Sequence, residues 1–156
     1  MQHFDPLQQA FWLPVGMACL CGTLIGLERQ LRGKPVGIRT SVLICLSTQV
    51  FISLSRVYAG ENGDLTRVLG QVVTGVGFLG GGVILARGGV VTGVTTAALI
   101  WILAAIGALI GFGEYKAGLA ITLLVLVCVV GVGWLESSIR NLRRGVHAAP
   151  DQEKPK

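Results

Sequence analysis

Charge is what this sequence has least of. Only 13% of its 156 residues are Asp, Glu, Lys or Arg, whereas 52% are hydrophobic. A soluble domain of this length needs a far larger charged surface, so the scarcity argues against a water-soluble fold. The mean hydropathy of +0.70 agrees. Histidine is nearly absent too, and His3 and His147 lie at opposite ends. No HExxH, GxSxG or phosphate-binding GxxxxGK[ST] occurs, and no run gathers His, Cys, Asp and Glu. Nothing sets a nucleophile beside a base, so the chain is read as non-enzymatic, without cofactor or metal. The first ten residues carry Asp5 but no lysine or arginine, so the basic start of a removable signal peptide is missing.

The four cysteines, Cys19, Cys21, Cys45 and Cys128, all lie inside apolar runs. They are read as small buried hydrophobes, because C-x-C residues diverge on a helix and no other metal ligand is near. A net charge of +5 suggests nucleic acid at first sight. The basic residues, however, stand in short groups beside apolar runs. That is the positive-inside pattern of a membrane protein, and no nucleic-acid partner is expected.

What is abundant is apolar sequence and glycine, which occurs 23 times. A hydrocarbon core of about 30 Å takes roughly 20 apolar residues per helix. Five runs fit: 11–27, 40–55, 68–86, 95–113 and 117–135. The expected fold is an all-α integral membrane protein with five transmembrane helices over 1–135, followed by a short basic tail over 136–156. Pro14 is placed in the first turn of its helix, where a missing N–H costs little. Tyr58, Trp101 and Trp134 are candidate interfacial anchors. Counting Lys and Arg loop by loop puts ten on one side of the membrane and three on the other. The amino end is then outside and the tail in the cytoplasm.

Gly37-Ile-Arg-Thr-Ser-Val-Leu-Ile44 and Gly93-Val-Thr-Thr-Ala-Ala-Leu-Ile100 agree at four of eight positions. A G-x-x-x-G precedes each, Gly22 with Gly26 and Gly77 with Gly81. The pattern reads either as two repeated helical hairpins plus a fifth helix, or as chance likeness among glycine-rich helices. Thr40 and Thr96 are expected to cap the returning helices. Gly75, Gly77 and Gly80 match the dinucleotide G-x-G-x-x-G, but without a βαβ unit the match is false. Gly22, Gly26, Gly77, Gly80, Gly81, Gly82, Gly107 and Gly111 are instead expected to pack against other helices. The glycine-rich stretch 80–96 holds Arg87 and three threonines. It is read as a surface turn or as a loop dipping into the bilayer.

Gly26-Leu-Glu-Arg-Gln30, Gly37-Ile-Arg-Thr40, Gly75-Val-Gly-Phe-Leu-Gly-Gly-Gly82 and Gly93-Val-Thr-Thr-Ala-Ala98 resemble, in order and spacing, the signature blocks of the MgtC/SapB family. The likeness runs from about Leu20 to Leu135. It implies a bacterial inner-membrane protein associated with growth at low magnesium, acid tolerance and survival in host cells. Many members add a cytoplasmic ACT-type domain, which is not found in these 156 residues. The family resemblance admits two functions: regulation through contacts with other membrane proteins, or transport of Mg²⁺ or another small solute. No span carries an interior charge, which favours regulation, because Mg²⁺ gives up its water reluctantly and wants oxygen ligands. The expected partners are the lipid bilayer, other membrane proteins through helix contacts, and further copies of the chain. The expected site lies at the cytoplasmic edge, with Glu28, Arg29, Arg39, Thr40, Arg87, Thr95 and Thr96 at one depth. Glu28 is expected to pair with Arg39, leaving Arg87 free.

Overall fold

The structure, a computed structural model, describes residues 6–58 and 64–138. Residues 59–63, and the tail expected after 138, lie outside the described residues. The fold is helical: α1 (Gln9–Leu31), α2 (Ile38–Tyr58), α3 (Leu65–Gly82), α4 (Val94–Gly111) and α5 (Tyr115–Ser138), with a small hairpin of β1 (Leu85–Arg87) and β2 (Val90–Thr92) before α4. Among the described residues, α1, α2, α4 and α5 are long and apolar enough to cross a membrane.

Glycine decides how the helices meet. Helix α2 lies between α1 and α4. A Cβ added at Gly22 would stand 2.7 Å from Val42 Cα, and one at Gly26 2.5 Å from Ile38 Cα. On the other side, a Cβ at Gly107 would run into the Cys45 carbonyl, and one at Gly111 would meet Ile52 Cβ at 2.7 Å. Backbone therefore touches backbone along α2, with Ile25, Ile52, Leu103, Ile106 and Ile110 fully buried around it. Helix α5 covers α1 and α4, where a Cβ at Gly118 would sit 3.0 Å from Ile110 Cγ1.

Helix α3 is held more lightly. Trp101 of α4 lies over Gly80 and Gly77, where added Cβ atoms would stand 3.4 and 3.8 Å from the indole. Trp101 is still half exposed. Gly81 and Gly82, expected to pack on a helix, have no atom within 4 Å of an added Cβ. Successive residues turn about 100° on a helix, so Gly82 faces away from Gly77, whereas Gly81, four residues after Gly77, shares its side one turn beyond the Trp101 contact. The third run was expected to reach residue 86, but the helix ends at Gly82, after three consecutive glycines. Beyond it, Gly88 and Gly89, both at positive φ, make the two-residue turn of the hairpin.

Three smaller expectations also change. Thr40 and Thr96 do not cap their helices, because Gly37 and Gly93 already occupy that position and their carbonyls accept from Ser41 and Ala97 N–H. Gly93 has φ +89°, and a side chain there would collide with the Val83 carbonyl. Pro14 falls in the second turn of α1, since the helix starts at Gln9. Cys21 and Cys45 are buried and Cys19 partly so, but Cys128 lies exposed on α5.

The start of α3 is capped by Asp64, whose carboxylate accepts from the Thr66 hydroxyl and from Thr66 and Arg67 N–H. The Thr66 side-chain bond, foremost, holds its pKa below the ordinary aspartate value. A lowered folded pKa gives stability that is present above the unfolded pKa and lost as pH falls through the folded one. Asp64→Ala should thus speed amide exchange at Arg67 and Val68 at neutral pH, with the difference from wild type fading in acid. For packing, Gly107→Ala should lower stability in detergent by about 1–3 kcal/mol through overlap with α2. Gly70→Ala, which meets nothing within 4 Å, should leave the melting temperature unchanged or raise it.

Candidate functional site

The last turn of α1 and its C-cap carry Glu28, Arg29 and Arg32, and the two arginines point to different parts of the fold. Arg29 is only 5% exposed. Its Nη2 donates to Thr96 Oγ1 at 3.3 Å, and its Nε to the Pro35 carbonyl at 3.4 Å. Both acceptors are neutral. A guanidinium is thus buried between the end of α1, the α1–α2 turn and the start of α4. Such a group is costly unless its donors are satisfied. Arg32 reaches the other way, donating to the Val129 carbonyl of α5 at 3.4 Å.

Glu28 was expected to pair with Arg39. Its partner is Arg32, whose Nε stands 2.7 Å from Oε1, without the alignment of a hydrogen bond. The reason is local: residues four apart share a helix face. Arg39 opens α2 with its side chain exposed. The i,i+4 spacing of Glu28 and Arg32 was visible in the sequence and is the signal that points to this pair.

The turn between α1 and α2 is strained. Val36 has φ +61°, a left-handed conformation that a β-branched residue rarely takes. It is held from both sides, by Arg29 on the Pro35 carbonyl and by Ser41 Oγ, which donates to the Val36 carbonyl at 3.3 Å. Of the seven residues expected at the site, the structure joins Arg29 to Thr96 and sets Glu28 beside them. Arg39, Thr40, Thr95 and Arg87 are exposed. The side chains of Arg39 and Arg87 make no hydrogen bond or ion pair among the described residues.

A second polar cluster escaped the sequence reading. At the far end of the bundle, Arg56 Nη1 donates to the Gly111 carbonyl at 3.1 Å. Ser53 Oγ reaches the same carbonyl at 3.5 Å and accepts from Gln49 Nε2 at 2.9 Å. Gln49 is 1% exposed, and its Oε1 has no hydrogen-bond partner. One amide in the middle of an apolar run was the available signal.

With this geometry in view, the comparisons with known proteins decide the kinship. The profile of the MgtC family matches residues 15–138. The chain belongs to the MgtC family. It is 46% identical over 119 residues to the "Putative magnesium transporter YhiD" of Escherichia coli K12, covering 70% of this chain and 55% of that protein. It is 43% identical over 109 residues to Protein MgtC of Salmonella typhimurium LT2, covering 70% and 46%. Protein SapB of Bacillus subtilis is 37% identical over 135 residues, covering 81% and 58%. The chain thus spans about half the length of the curated relatives it matches. No solved structure matches it. Family and helices together make it a multi-pass membrane protein.

The Arg29 bond to Thr96 is open to a double-mutant cycle, Arg29→Gln with Thr96→Val, read as melting in detergent. The two changes should couple by about 1–2 kcal/mol, since Arg29→Gln removes the charged donor and Thr96→Val its acceptor, and either one breaks the same buried bond. Losses that simply add would show that the bond contributes nothing.

Proposed function

We propose that this MgtC-family chain is a regulatory protein of the bacterial inner membrane, linked to magnesium homeostasis, that acts through helix contacts and neither moves an ion nor catalyses a reaction. One observation carries the reading: a guanidinium closes each end of the α1, α2 and α4 centre. Arg29 lies across one end on Thr96, and Arg56 across the other on the Gly111 carbonyl. Between them the helices touch at Gly22, Gly26, Gly107 and Gly111. A cation passing through this centre would meet a positive group at both ends, with close-packed backbone between them. The magnesium link is supported by the name of the Escherichia coli relative.

All five helices are read as crossing the bilayer. Arg29 ties the end of α1 to the start of α4, and Arg56 ties the end of α2 to the end of α4. Helices α2 and α4 therefore run the same way, and α3 returns the chain between them over 18 residues, about 27 Å at 1.5 Å per residue. The two hairpins, α1 with α2 and α3 with α4, are read as copies. In support, an added Cβ at Gly26 would meet Ser41 and one at Gly80 would meet Ala97, and Ser41 and Ala97 are matching positions; the glycine that matches Gly26 is Gly81, one residue on from Gly80. The lysine and arginine count places the amino end outside and Arg29 at the cytoplasmic edge. There Glu28, Arg29 and Thr96 form the structural core of the site, and exposed Arg39, Thr40, Arg87 and Thr95 form the surface offered to partners.

Transport of Mg²⁺ or another small solute is the second reading. The Escherichia coli relative's name and the unpartnered Gln49 Oε1 favour it. Purified full chain in liposomes with a trapped Mg²⁺ indicator separates the two. The regulatory reading expects flux equal to that of empty vesicles, while Arg87→Glu alters growth at low magnesium without lowering protein level. Flux that rises with the amount of protein would overturn it. Reporter fusions within the β1–β2 turn and after Lys156 should both read cytoplasmic; opposite readings would mean that α3, α4 and α5 do not all cross as assigned.

A further inference from the structure

Helix α3 presents a face that no other described residue covers. Gln71, Gly75, Phe78 and Gly82 follow one another at spacings of four, three and four, so they share one side of the helix. All four are exposed, and Phe78 is 83% exposed. Added Cβ atoms at Gly75 and Gly82 would meet nothing within 4 Å, so no packing among the described residues accounts for glycine there. Gln71 makes no hydrogen bond among the described residues. It stands six residues into α3, about 9 Å from the helix start, where an amide facing lipid is unfavourable.

Alongside this face a groove of about 850 Å³ separates α3 from α2. Gln71 and Gly75 line one wall and Thr48 the other. Thr48 is 2% exposed, and its hydroxyl has no partner among the described residues. The groove thus holds an unsatisfied amide and an unsatisfied, nearly buried hydroxyl.

We propose that α3 is the interface of a two-fold dimer of this chain, with the Gln71 amides of the two copies bonded across the axis. A second copy is the occupant because the face is self-complementary. A two-fold axis along the membrane normal puts identical residues at one depth, and an amide both donates and accepts. It also brings Phe78 of one copy over the bare Gly75 and Gly82 of the other, large onto small, which is how membrane helices approach closely. The dimer rests on α3 crossing the bilayer, and the reporter fusions test that separately. If they read as assigned and no dimer forms, the dimer alone fails.

The experiment is energy transfer between donor- and acceptor-labelled copies of the full chain, with fluorescent proteins fused after Lys156, in liposomes over a range of protein-to-lipid ratios. Transfer should follow a monomer–dimer equilibrium. Gln71→Leu should weaken it about 3- to 30-fold, the range for one hydrogen bond between membrane helices. Gly75→Leu should weaken it at least as much. Gly16→Leu, on α1 and likewise without neighbours within 4 Å, should leave it unchanged. Melting in detergent should match wild type for all three, and Gly75→Ala serves if the leucine variant misfolds. No transfer at the highest density overturns the proposal, including the case where another protein's helix fills the groove. So does a dimer indifferent to the α3 changes, or one weakened equally by Gly16→Leu.

Discussion

Helix α2 lies against α1 and α4 at distances that only glycine permits. In lipid there is no hydrophobic gain from pressing apolar helices together, so association depends on close van der Waals fit. Gly22 and Gly26 supply that fit on one side, Gly107 and Gly111 on the other. Each replaces a side chain with backbone contact, and together they fix α2 in depth and rotation. The polar contacts that join one helix end to another at Arg29 and Arg56 are placed by that clamp. Thr96 meets Arg29, and the Gly111 carbonyl meets Arg56, because α1, α2 and α4 are held in one register.

The charged end of α1 shows how a few polar contacts divide the work once the register is set. Arg29 is buried and spends its donors on neutral acceptors of the α1–α2 turn and of α4. Arg32 stays nearer the surface, where it pairs with Glu28 and touches α5. The strained Val36 persists because Arg29 and Ser41 hold the carbonyls on either side of it. Strain of this kind survives only where the surroundings over-determine the backbone. The same end is therefore rigid inside, while its surface, at Arg39, Arg87 and the hairpin, is open to contact.

Helix α3 is the exception to the clamp. It rests on α4 through Trp101 over Gly77 and Gly80 and joins the core through Val76, and added Cβ atoms at its remaining glycines would meet nothing among the described residues. A helix with this composition is poorly explained as part of a monomer, since glycine weakens a helix unless close approach offsets it. The same face carries the unpartnered amide of Gln71 beside the groove. A tight three-helix centre and a lightly held fourth member give the molecule one rigid part and one part suited to assembly.

Composition and hydropathy alone determined that this is a helical membrane protein, because the length of an apolar run and the thickness of a bilayer leave little choice. The ordered motifs likewise marked it as a relative of MgtC, and Glu28, Arg29 and Thr96 were picked out as members of one site. The Glu28–Arg32 pair follows from local i,i+4 spacing and was legible in the sequence, although Arg39 was expected there. The bond from Arg29 to Thr96, 67 residues on, was decided only by tertiary structure, because it depends on how α4 returns beside α1. The glycines divide the same way. All of them looked alike in sequence, yet Gly107 lies against a backbone carbonyl and Gly81 against nothing, since a helix position finds a neighbour only when rotation and depth are fixed. The hairpin after Gly82 and the Gln49–Ser53–Arg56 cluster, in which Gln49 is buried, came from the fold as well. The cluster depends on the Gly111 carbonyl, 55 residues from Arg56, which periodicity along one helix does not encode.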